Sequence, residues 1–147
     1  MNKISYLDTI LSGLKREMEQ KMIPGKFYDF SPTIVRGITN WEDSNSKRPL
    51  IWFIATDLVY EETMSSKTKV EIFVELHGYT DTDGYDNSIN MITLLKDLEY
   101  FLYNDYSKPV NLLNCVVDEG GIGNEIGQSG FMLNIKITTD FNITTIK

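Results

Sequence analysis

The residues able to do chemistry are few, and most of them fail the spacing that their chemistry needs. Asp81-Thr-Asp-Gly-Tyr-Asp86 looks like a calcium loop. An EF-hand, however, requires glycine at its sixth position and glutamate at its twelfth, where this chain has Asp86 and Ile92. The run therefore reads as a turn that caps a helix. Gly121-Ile-Gly-Asn-Glu-Ile-Gly127 has one residue too many for G-x-G-x-x-G and precedes a strand, so no helix N-terminus stands behind it to hold a phosphate. His77 is the one histidine, with no cysteine near it in sequence to complete a zinc set, and its phase with Glu71 and Glu75 predicts a solvent-facing strand residue. Cys115, the one cysteine, has no internal disulfide partner. Its place in the apolar run Val110–Val117 predicts a small buried residue instead of a reactive thiol. Glu61-Glu62 and the carboxylates Asp81, Asp83 and Asp86 read as solvated loop charges, because acid–base pairs need a defined separation in a cleft. The chain has no Ser-His-Asp order, P-loop or G-x-S-x-G. No catalytic, metal or cofactor site is expected.

The elements that position these residues centre on residues 67–104. Val70, Ile72, Val74 and Leu76 alternate with Lys69, Glu71, Phe73, Glu75 and His77, which predicts a strand with one buried and one mostly wet face. Gly78 to Asp86 supply turn formers, with Asp86 or Asn87 as N-cap. Met91, Leu94, Leu95, Leu98, Phe101 and Leu102 then recur at helical steps with Ile92 alongside. This predicts a helix on a sheet, with Asn90, Lys96, Asp97 and Glu99 facing away and Lys96 pairing with Glu99. Residues 3–22 form an amphipathic helix on the same reasoning, ended by Pro24-Gly25. Thr33–Thr39 and Pro49–Thr56 read as strands, and residues 58–66 as the connection to the next one. The segment Asn40–Arg48 between the first two strands is polar and long for a hairpin. Val110–Val117 and Phe131–Thr138 complete the strands, around a loop from Asp118 to Gly130 with five glycines in thirteen residues, and a polar tail runs from Asp140 to Lys147. The order α-β-β-β-α-β-β predicts an α+β fold: a mainly antiparallel sheet of about five strands with two helices packed on one face.

At 147 residues the chain fits one domain, 1–147, able to bury roughly 70% of its unfolded surface. No apolar run approaches the ~20 residues of a membrane span, and the charged N-terminus lacks the apolar core of a signal peptide, so the protein is expected to stay in the cell that makes it. The formal net charge of −7 opposes the counterion-release binding of a DNA or RNA reader.

Across nearly its whole length the chain resembles the tail terminator, or tail completion, proteins of long-tailed bacteriophages. The resemblance lies in the N-terminal helix ending at Pro24-Gly25, the strand Thr33–Thr39 with Gly37, and a hairpin with a polar loop. It continues through the strand ending His77-Gly78-Tyr79, the helix Ile89–Tyr103 with Leu94-Leu95-Lys96-Asp97-Leu98, and a glycine-rich loop before Phe131-Met-Leu-Asn-Ile-Lys-Ile137. It implies a non-enzymatic virion protein, assembled in the host cytoplasm. Such a protein forms a ring of six copies on the head-proximal end of the tail tube, stops its elongation and offers a surface for head joining. Its partners would be itself, the tail tube protein and head–tail connector proteins, with genomic DNA only sliding through the lumen past acidic residues. A closed ring needs two different complementary faces on each subunit, for which strand edges and long loops are natural donors. The expected contacts are Trp41, Glu42, Asp43, Lys47 and Arg48 in the first loop, and Glu119, Ile122, Asn124, Glu125, Ile126 and Gln128 in the second. Trp41 has two readings, an interface anchor or an aromatic folded back onto the sheet. Competing readings are another neck or baseplate component such as a head–tail adaptor and, more remotely, a small-molecule-binding domain.

Overall fold

Helical periodicity and strand alternation meet in one core. The computed structural model describes residues 3–37, 49–62, 67–81, 88–118 and 128–142. Helix α1 (Lys3–Lys21) buries Ile10, Leu11, Leu14 and Met18, and helix α2 (Ser88–Tyr100) buries Met91, Leu94 and Leu98. The five strands are β1 (Thr33–Arg36), β2 (Leu50–Glu62), β3 (Lys67–Asp81), β4 (Val110–Asp118) and β5 (Gln128–Asn142). They form one sheet in the order β1-β2-β3-β5-β4. Ile34, Ile51, Phe53, Val70, Ile72, Val74, Leu76, Phe131, Leu133, Ile135 and Ile137 share one sheet face by register and join one hydrophobic cluster with both helices. The fold is therefore α+β, with both helices on one face of a sheet in which three of four strand pairings are antiparallel. Each of these fully buried side chains contributes roughly 1.5–3 kcal/mol by leaving water.

The fourth pairing corrects the expected hairpin. Strands β1 and β2 run parallel, with Thr33 opposite Leu50 and Arg36 opposite Phe53. A parallel pair cannot be closed by a tight turn, which accounts for the length of the connection between them. Strand β1 is also shorter than expected: it stops at Arg36, and Gly37 follows with φ 113°, a conformation that glycine alone adopts without strain.

Strand ends are the other corrections. β2 runs six residues beyond Thr56, because a bulge at Thr56 shifts the alternation instead of ending the strand. Before it Ile51, Phe53 and Ala55 face the helices; after it Leu58 and Tyr60 do. Residues 78–81, expected as turn, continue β3, while Asp118, Gln128, Ser129 and Gly130, expected as loop, belong to β4 and β5. The start of the expected tail, Asp140–Asn142, pairs with Lys67–Lys69.

Glycine has a packing role in this extension. Gly78 lies opposite Phe131 and Tyr79 opposite Gly130, so on each face an aromatic ring covers the facing glycine. A Cβ on Gly78 would come within 2.3 Å of Phe131 Cζ, and one on Gly130 within 2.6 Å of Tyr79 Cδ1. Glycine here permits ring-on-backbone packing, not a turn.

Asp97 overturns its expected outward position: it is only 3% exposed. Its Oδ2 accepts the backbone N–H groups of Asp29 and Phe30, each at 2.9 Å, and so ties the extended 28–30 segment to α2. Burial pushes its carboxyl above the ordinary range, opposed by those two donors. Lys96 and Glu99 form no pair, and Ile92 is about half exposed. The helix ends in one wide turn, Phe101–Asp105, closed by Tyr106 N–H donating to Phe101 O at 2.8 Å. This turn keeps Phe101 and Leu102 buried and presents Asp105 to the Tyr28 hydroxyl, which donates to it. No helix is long and apolar enough to cross a membrane among the described residues.

Candidate assembly surface

Edge strand β4 is built so that only one of its sides is satisfied. Pro109, whose carbonyl accepts the Thr138 N–H at 3.0 Å, starts the strand beside β5, and β4 pairs with β5 alone. A bulge between Leu112 and Asn114 then reverses its phase. Val110 and Leu112 pack against the core, whereas residues 113–116 are all exposed. Leu113 is 50% and Val116 51% exposed, and no charged residue lies between Lys108 and Asp118. Edge strands are ordinarily guarded by charge, proline or brevity; β4 has nine residues and only its bulge as a guard.

Cys115 lies on this exposed stretch, which corrects its expected burial. An apolar run signals burial only where a second layer lies over the strand, and at 113–116 neither side is covered. Partial desolvation and the Glu99 carboxylate push its thiol up, so it is not an activated nucleophile.

The sheet face opposite the helices is the second exposed surface. Glu71 is bridged by Lys69 at 3.5 Å and Lys136 at 3.7 Å, and Asn134 Nδ2 donates to Asn114 Oδ1 at 2.7 Å. His77, expected to face solvent, is only 16% exposed at its side chain. Its ring stacks on Trp52 with centroids 3.8 Å apart and planes 3° from parallel, and its Nε2 lies 2.6 Å from Glu75 Oε1. Trp52, 8% exposed, lies outside the main core cluster, and its buried Nε1 has no hydrogen-bond partner. An aromatic layer at this end thus protects a face that alternation alone marks as wet.

Among the expected contact residues, Trp41, Glu42, Asp43, Lys47, Arg48, Glu119, Ile122, Asn124, Glu125 and Ile126 lie outside the described residues. Gln128 begins β5, opposite Asp81. Three of the four described strand ends that flank these segments lie at one end of the sheet, whereas Arg36, before the first segment, lies opposite Phe53, three residues further in. Leu50, which follows the first segment, pairs with Tyr79; Tyr79 pairs with Gly130; and Gly130 pairs with Asp118, so both ends of the second segment emerge there too. Sequence reasoning missed β4 as a surface because it treated an apolar run as core. The absence of any charge in an outermost strand is a signal only once the strand order is known. In comparison with known proteins, no family model matches the chain and no curated protein matches it in sequence.

Proposed function

We propose that this protein is a structural assembly subunit of the tail terminator type: a ring of identical chains that caps the head-proximal end of a phage tail tube, ends its growth and receives the head. The observation that carries the reading is edge strand β4, whose outer backbone groups, Leu113 and Val116 form a ready pairing surface without charge. The strand directions suit a closed ring. β4 runs opposite to β1, so β4 of one copy beside β1 of the next continues the sheet antiparallel with every subunit in the same orientation. Leu50, Asp118 and Gln128, which border the expected contact segments, lie at one end of the sheet, which suits that end to a second, separate surface toward a tube or connector protein. A net charge of −7 fits a lumen past which DNA slides without sticking.

Native mass spectrometry over a concentration series, with electron microscopy of the large species, tests this reading. A closed ring is expected from the natural chain, and the double substitution Leu113→Glu/Val116→Glu is expected to return it to monomer. A natural chain that stays monomeric, alone and when mixed with isolated tail tubes, would sink the proposal.

A further inference from the structure

A groove of about 270 Å³ runs between α1 and the chain that leads into β4. Its walls are fixed from both sides. Glu17 accepts the Ser107 N–H at 3.0 Å and the Ser107 hydroxyl at 2.8 Å, and the Tyr6 hydroxyl is held by Thr139 Oγ1 at 2.7 Å. The Thr9 hydroxyl donates back to the Ser5 carbonyl. The one carboxylate that lines the groove is therefore already used, as are its hydroxyls. Two cations that line it are not: among the described residues, Arg16 and Lys108 make no hydrogen bond and no ion pair. By contrast Lys15, Arg36, Lys69 and Lys136 are each paired with a carboxylate.

Gly13 lines the groove, in the middle of α1, where glycine weakens a helix relative to alanine. No close contact requires it. A Cβ there would meet only the end of the Arg16 side chain, at 3.7 Å, and its φ is not in the left-handed region. The missing side chain leaves the groove open beside the two free cations.

We infer that this groove receives an acidic side chain from a second copy of the chain, with Arg16 and Lys108 clasping its carboxylate and Gly13 making room for its stem. Charge complementarity selects the occupant: the chain has 21 acidic against 14 basic residues, so a neighbouring copy presents a predominantly acidic surface. The groove opens beside the start of β4, since Lys108 directly precedes Pro109 and Val110. The inference rests on the assembly reading for its donor and adds to it the contact that sets partner orientation.

The test is sedimentation velocity of the full chain over a concentration series, at low and high salt, with three variants. Arg16→Glu/Lys108→Glu is expected to weaken self-association roughly tenfold or more, because it removes two ion pairs and adds repulsion. Gly13→Leu is expected to weaken it while the melting temperature holds or rises, a split that a merely structural glycine would not produce. Leu113→Glu/Val116→Glu separates the edge from the groove. If the groove variants associate like the natural chain while the edge variant does not, the groove proposal is overturned and the assembly reading stands. If the edge variant associates normally and the groove variants do not, the groove stands and the role of β4 falls. A natural chain that is monomeric at every concentration overturns both.

Discussion

The two faces of the sheet are made from the same strands and do different work. On the helix side Phe53, Ile72, Leu76, Ile135 and Ile137 are wholly buried in one cluster with α1 and α2. On the other side Glu71, Phe73, Glu75, Lys136 and Thr138 are each partly exposed, and a few charge pairs and one aromatic stack hold them. Adjacent residues of one strand therefore belong to different problems. Phe53 stabilises the fold, whereas Ile54, its neighbour, packs on a surface that no helix covers. The contrast places the buried apolar packing on one face and leaves the other face and the β4 edge outside it.

Substitutions of decreasing effect test that contrast. Phe53→Ala should cost about 3–5 kcal/mol in urea unfolding, against less than about 1.5 kcal/mol for Ile54→Val across the strand. Equal costs would break the comparison. Asp97→Ala should cost about 2–4 kcal/mol, since it leaves two buried N–H groups without an acceptor, and Asp97→Asn should recover most of that loss. The pH dependence has a definite sign. Burial raises the carboxyl above its ordinary value, so the folded state holds the proton more tightly than the unfolded chain. The stability linked to the retained proton is then full below the ordinary carboxylate range and is lost as pH rises through the raised value, while the two backbone N–H donors keep their acceptor. Asp97→Asn should accordingly cost less at neutral pH than in acid, and unfolding curves of both proteins across the acid range would show it.

Gly78→Ala should cost about 1–3 kcal/mol, because the new Cβ meets the buried Phe131 ring. Pairing it with Phe131→Leu should return part of that loss, a coupling that a double-mutant cycle measures. The smallest effect belongs to the bare face. Glu71→Gln, which removes the Lys69 and Lys136 bridges, should change stability by less than about 1 kcal/mol, and high salt should erase the difference. A salt-independent loss of several kcal/mol there would mean that this face carries the fold after all.

Much of the fold was legible because periodicity is local. The stripe of α1 and the alternation of β3 and β5 appear as repeats of three to four or of two, and the structure bears out these elements. Asp97 was legible and overlooked. It lies three residues after Leu94 and four before Phe101, in the phase of the buried stripe, so a helical reading that trusts phase over residue type would have placed it inside. The bulge at Thr56 was not legible, because one inserted residue looks like the end of an alternating pattern. Tyr106 was equally hidden: its hydroxyl is pushed up by burial, with Glu17 and Tyr6 adding to the shift, through contacts that join α1 to the turn after α2. For the proposed assembly surface, Trp41, Glu42, Asp43, Lys47, Arg48, Glu119, Ile122, Asn124, Glu125, Ile126 and Gln128 come from the sequence reading, while the structure adds the exposed Leu113, Cys115 and Val116.

Sequence by itself determined the order of elements and the apolar phase of α1, β3 and β5. Both depend on neighbours within a few positions. Only the tertiary structure decided that β1 runs parallel to β2, that β4 is an outermost strand, and that Gly13, Arg16 and Lys108 line one groove. Each of these depends on which distant segment packs beside which, and a local pattern of polarity is the same whether its neighbour is a helix, another strand or a second copy.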